Sequence, residues 1–176
     1  MTEKLEFSRP VRSDTLGDVP RAIAIEADEG ERAALARRFD LVAIESLSAE
    51  AALSRIGETV TAKGKLKAHV TQSCVVTAEP VESDVEENFE ISFRPSPQAG
   101  SDEEEVELDE GEMDVIFLDD IDVDIGEAVA QTLSLALDPY PRAPGAEAAL
   151  RDAGVKSEEE AGPFGALAGL RDKMKP

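Results

Sequence analysis

The sequence predicts an α+β domain: a curved, mostly antiparallel β-sheet of about five to seven strands, able to close toward a barrel, with two main helices packed on it. Three observations predict it. Over residues 59–72, Val60, Ala62, Gly64, Leu66, Ala68 and Val70 alternate with Thr, Lys and His, a period of two sustained for six cycles. A second alternation sets Val85, Phe89, Ile91 and Phe93 against Glu86, Asn88, Glu90 and Ser92. Ile125, Val129, Leu133 and Leu137 then recur every four residues with Ala128 and Ala136 alongside, the apolar stripe of a helix.

The remaining elements fall into place along the chain. Leu5 to Arg9 alternates and reads as a short strand ended by Pro10; Val19 to Ala27 reads as a second. Asp28 caps a helix from Glu29 to Phe39, with Glu29 and Glu31 in its first turn, where the helix dipole favours negative charge. Leu41 to Leu47 is extended. Residues 49–56 suit strand or helix spacing and are read as strand. Gly64, on the apolar face of the long alternation, implies a bend or a close backbone approach. The connection from Gln72 to Pro80 exceeds a two-residue hairpin, and the two alternating runs pair antiparallel across it. Val115 to Leu118 reads as a strand end. Asp124 caps the helix beginning at Ile125, Pro139 and Pro141 stop it, and a short Ala-rich helix follows over 146–151.

The chain of 176 residues carries 18 Lys+Arg against 39 Asp+Glu, a net charge of -21. The excess is local: residues 96–141 hold 15 acidic side chains and no basic one, whereas residues 1–95 hold 18 and 12, and residues 142–176 six of each. Such a field disfavours non-specific binding to nucleic acid and favours cationic partners. A mobile acidic linker is expected at about 96–112. The expected organisation is one domain over 1–142 containing that loop, followed by a partly ordered tail over 143–176. No apolar run approaches the roughly 18 residues of a membrane span, and the N-terminus lacks signal-peptide character, so a cytoplasmic protein without membrane or small-molecule partner is expected.

Candidate chemistry is sparse. Asp120, Asp122 and Asp124 begin like a calcium loop, but Ile125 stands at the turn glycine and Gln131 at the bidentate acid, so capping by Asp124 is the better reading. Cys74, the single cysteine, lies five residues from His69, the single histidine; on a strand that spacing puts them on opposite faces. No metal, cofactor or catalytic residue is therefore assigned. Lys63, Lys65 and Lys67 share one strand face with His69, either as an ordinary solvated face or as a strip for RNA or an acidic segment; Arg94 and Arg142 join them as candidate contacts. The strands' Phe residues fall on the apolar face, leaving no stacking platform for bases. Pro163, Phe164, Leu167 and Leu170 form a short amphipathic motif before Arg171, Lys173 and Lys175, a candidate docking segment.

Four passages taken in order resemble the YceD family, the large ribosomal RNA subunit accumulation proteins. They are Gly64 to Thr77 with Glu79-Pro80-Val81; the strand ending Phe93-Arg94-Pro95 before an acidic linker; the helix from Asp124 running into Asp138-Pro139-Tyr140-Pro141-Arg142; and Pro163-Phe164-Gly165-Ala166-Leu167. The resemblance implies a non-enzymatic role in accumulation of large-subunit (23S) ribosomal RNA, hence in ribosome biogenesis. Many members carry a second cysteine three positions after the first; here Thr77 stands there, so no metal site transfers. Two mechanisms stay open. In the first, the acidic stretch of 102–127 engages ribosomal proteins or a pre-50S particle by charge. In the second, the lysine-faced strand contacts rRNA directly.

Overall fold

The alternation at residues 59–72 is realised as one long strand inside a five-stranded sheet. The structure is a computed structural model that describes residues 5–96, 114–118 and 122–155. In chain order the elements are β1 (Pro10–Arg12), a 3-10 turn (Ser13–Thr15), β2 (Arg21–Glu26), α1 (Glu29–Arg38), β3 (Ala43–Ile56), β4 (Thr59–Ser73), β5 (Pro80–Pro95), β6 (Asp114–Leu118), β7 (Asp122–Asp124), α2 (Ile125–Ala136) and α3 (Ala146–Asp152). The class is α+β. The large sheet runs β2-β3-β4-β5-β6 and is antiparallel except for β6, which pairs with β5 in parallel. β1 and β7 form a separate antiparallel pair.

The sheet is not closed into a barrel: among the described residues β2 and β6 are its two edges. Helices cover the apolar face instead: Leu35 and Ala36 of α1 and Ile125, Val129 and Leu133 of α2 are buried in one cluster with Leu47, Leu53, Leu66 and Phe93 of the strands. One correction concerns the N-terminus. Pro10 opens β1 and does not end a strand, and Leu5 to Arg9 are irregular. Phe7 is fully buried, and the backbone carbonyl of Phe7 sits so close to α2 that a Cβ on Gly126 would lie 2.5 Å from it. Phe7 therefore serves as a wedge under α2. The two extended segments expected on either side of Ser48 are one continuous β3, interrupted by a bulge between Ile44 and Ser46.

Local chemistry explains the helix starts. The Asp28 carboxylate accepts from the Glu31 N–H at 2.8 Å while Glu31 accepts from the Asp28 N–H, a reciprocal cap. Asp124 ends β7 and caps α2 by accepting from the Glu127 N–H at 3.1 Å; it also accepts from the Arg9 N–H at 2.8 Å and the Ser8 hydroxyl at 2.5 Å. Gly64 is required by proximity, since a Cβ there would stand 2.4 Å from the Glu50 carbonyl and 2.7 Å from the Phe89 ring.

By contacts the chain divides into two units. The first holds residues up to Gln72 and 82–138; the second holds 73–81 and, among the described residues, 139–155. In the second, Cys74, Ala143 and Ala146 form a small buried cluster against Val76 and Val81. The Val75 N–H donates to the Pro141 carbonyl at 2.9 Å, joining segments more than sixty residues apart. The acidic loop expected at 96–112 lies outside the described residues apart from Ser96, as do Pro163, Phe164, Leu167 and Leu170.

Candidate functional site

The sheet has one face under the helices and one open face. β4 buries Val60, Ala62, Leu66, Ala68 and Val70, so period-two geometry turns Lys63, Lys65, Lys67 and His69 outward. β5 buries Phe89, Ile91 and Phe93, and turns Glu82, Asp84, Glu86, Glu90 and Arg94 to the same open side. The lysine row therefore meets an acidic row. Lys63 pairs with Glu90; Lys65 lies 2.5 Å and Lys67 3.0 Å from the two Glu86 oxygens; His69 Nδ1 lies 2.7 Å from Asp84. The pairs run in opposite order along the two strands, as antiparallel neighbours must.

The electrostatics follow from those contacts. Glu86 is held below the usual carboxylate range by hydrogen bonds from Lys65 and then Lys67. His69 is pushed above the usual imidazole range by its hydrogen bond to Asp84, with Glu45 and Glu82 adding to the field. Each β4 lysine is thus answered on its own sheet. Three carboxylates of the open side, Glu26 of β2, Glu50 of β3 and Glu82 of β5, stand outside every ion pair among the described residues. The face that spacing marks as cationic carries a surplus of acid: Glu26, Glu50, Glu82, Asp84, Glu86 and Glu90 outnumber Lys63, Lys65, Lys67 and Arg94.

Two further features were missed by sequence reasoning. Phe117 of β6 is an exception to the rule that strand Phe residues face the core. It lies opposite Arg94 in the register and is 58% exposed, because Ile116 and Leu118 take the inward positions. The signal was available in the alternation of Ile116 and Leu118. The other feature is Cys74. It is 3% exposed, and its sulfur accepts from the backbone N–H groups of Ala143 (3.2 Å), Val76 (3.4 Å) and Thr77 (3.5 Å). Hydrogen bonding from the Ala143 N–H first and the Thr77 side chain next, with the Thr77 and Val76 N–H groups adding, pulls the thiol down to about 7. The thiol thus fastens the second unit, whose exposed Tyr140 and Arg142 alternate with buried Pro141 and Ala143.

On the other side of the sheet the charges are shielded. Arg38 of α1 grips Glu127 of α2 through two hydrogen bonds of 2.7 and 2.8 Å and reaches Glu6 at 3.1 Å. Arg9 forms a two-pronged pair with Glu31 at 2.7 and 2.8 Å. These pairs tie the N-terminal segment, α1 and α2 together. Among the described residues no group of three or more His, Cys, Asp or Glu side chains is placed to hold a metal ion, and no helix is long and apolar enough to cross a membrane.

Comparison with known proteins adds one finding. A family model described as "Large ribosomal RNA subunit accumulation protein YceD" matches residues 62–171, from β4 past α3. No curated protein and no solved structure gives a significant match.

Proposed function

The chain belongs to the YceD family of large ribosomal RNA subunit accumulation proteins, and from that premise we propose that it acts as a non-enzymatic assembly factor, offering an acidic surface to basic ribosomal proteins or to the pre-50S particle. The observation that carries this reading is the pairing of the lysine row with β5 carboxylates. Among the described residues it leaves the carboxylates of Glu26, Glu50 and Glu82 outside any ion pair on the open face, in a chain of net charge -21. A cationic chain segment is drawn to such a surface and RNA phosphate is repelled. The role is one of binding: the histidine is engaged by Asp84 and the cysteine sulfur by backbone donors.

The test is capture on the tagged full-length protein at low salt. Ribosomal proteins or large-subunit precursors should be retained, should elute as salt rises, and should be lost from a Glu26→Gln, Glu50→Gln, Glu82→Gln variant. Retention of naked large-subunit RNA by the wild type, abolished by Lys63→Gln, Lys65→Gln, Lys67→Gln, would replace this reading with the direct RNA contact.

A further inference from the structure

β2 is an end strand of the large sheet, and no described segment pairs with its outer edge. Two hydrogen bonds fix which of its residues face outward. The Ala27 N–H donates to the Leu47 carbonyl at 3.0 Å, continuing the β2–β3 register by one residue. In an antiparallel ladder alternate residues bond the same neighbour, so Arg21, Ile23 and Ile25 bond β3 while Ala22, Ala24 and Glu26 direct N–H and C=O to the free edge. Arg9 supplies the independent check: its guanidinium donates to the Glu26 carbonyl at 3.0 Å, from the outer side. That bond caps one end. Among the described residues the N–H and C=O of Ala22 and Ala24, and the N–H of Glu26, remain as an open ladder.

The charged residues of the edge, Arg21 and Glu26, stand at its two ends and leave Ala22 to Ile25 between them. Residues 21–26 contain no proline, lysine or bulge. Ala22 and Ala24 are short and exposed, so their own side chains do not overhang the ladder on the open face. On the helix-covered side Ile23 and Ile25 are only half-buried. The register also sets Glu50 directly across from Ala24 and places Glu26 at the strand's end, both without an ion-pair partner among the described residues. A long cationic side chain on an added strand can pass over a methyl group and reach either carboxylate.

We infer that the free edge of β2 accepts an extended segment of a basic protein as a sixth strand, with Lys or Arg alternating toward Glu26 and Glu50 and aliphatic side chains alternating toward Ile23 and Ile25. Main-chain hydrogen bonds supply affinity and the alternation supplies specificity. The inference rests on the basic-partner reading above and adds to it the place and the conformation of the partner.

The probe is a seven-residue peptide alternating lysine and valine, compared with a twin of equal charge N-methylated at every residue. Hydrogen exchange of the full-length protein is followed by NMR at low salt. The parent peptide should slow exchange of the Ala22, Ala24 and Glu26 amides at least tenfold, and the twin should not. Ala24→Lys, an exposed substitution whose folding is checked by circular dichroism, should weaken peptide binding at least tenfold; Glu50→Gln should weaken it less and flatten its salt dependence. Equal binding of both peptides without protection of those amides overturns the edge while leaving the acidic surface intact. Binding of neither overturns both. Amides already protected in the free protein, together with a dimer that Ala24→Lys dissociates, would assign the edge to a second copy of the chain and overturn the basic partner.

Discussion

Two sets of ion pairs flank the same sheet and do different work. On the helix-covered side Arg38–Glu127 and Arg9–Glu31 are half-shielded, two-pronged, and join segments distant in sequence. On the open face Lys65–Glu86, Lys67–Glu86 and His69–Asp84 link neighbouring strands and stand in water. Identical charges in the two settings differ in worth, because attraction grows as water is excluded and a planar guanidinium fork loses little freedom when it pairs. The inner pairs hold the molecule together. The outer pairs determine which charges are left to meet a partner.

The comparison can be broken at its strongest point first. Asp124→Ala removes the α2 cap together with the acceptor of Ser8 and Arg9, and should cost about 2–4 kcal/mol in urea unfolding. Arg38→Met keeps the side-chain bulk but strands Glu127, and should cost about 1–3 kcal/mol by the same measurement. If Arg38→Met matches wild type, the inner pairs are no more structural than the outer ones.

Acid distinguishes the two sets next. Arg38 holds Glu127, and Arg9 holds Glu31, below the usual carboxylate value of 4.5. Their stabilisation is complete above that value and is lost as pH falls through the folded-state pKa. The urea midpoint should therefore drop below about pH 4.5 in wild type, and drop less in Arg38→Met. His69 has the opposite sign: raised above 6.5, it contributes fully below that value and loses its contribution as pH rises through its folded-state pKa. Because that pair is exposed, midpoints at pH 6 and pH 8 should differ little. The smallest effect belongs to Lys63→Gln, Lys65→Gln, Lys67→Gln. It should leave the unfolding midpoint unchanged within error while making the open face more acidic, which sharpens capture of basic partners at low salt.

Sequence patterning made the long strands and both main helices legible, because period two and period 3.6 are local properties. It failed where a residue answers to something remote. Phe7 has strand-like spacing yet is a wedge held through the Asp124 side of α2, over one hundred residues away. Glu86 and Glu90 were visible in the alternation, but which lysine each meets depends on a register set across the Cys74 loop. The Cys74 sulfur takes a donor from Ala143, a pairing no spacing rule reaches. Gly64 was the favourable case: a glycine on an apolar strand face has few reasons to exist, and close approach proved to be the reason.

The pairing of β1 with β7 joins Pro10 to Asp124 and Arg12 to Asp122, so β1 is completed by a stretch translated more than one hundred residues after it. At common elongation rates of about 5–20 residues per second, the interval between them is roughly 6–20 s. During that time Phe7 and Val11 have no seat, while β2 to β5 already have each other. A nascent chain of this protein thus holds four paired strands beside an unfastened N-terminal segment, and its final fastening waits on a single aspartate.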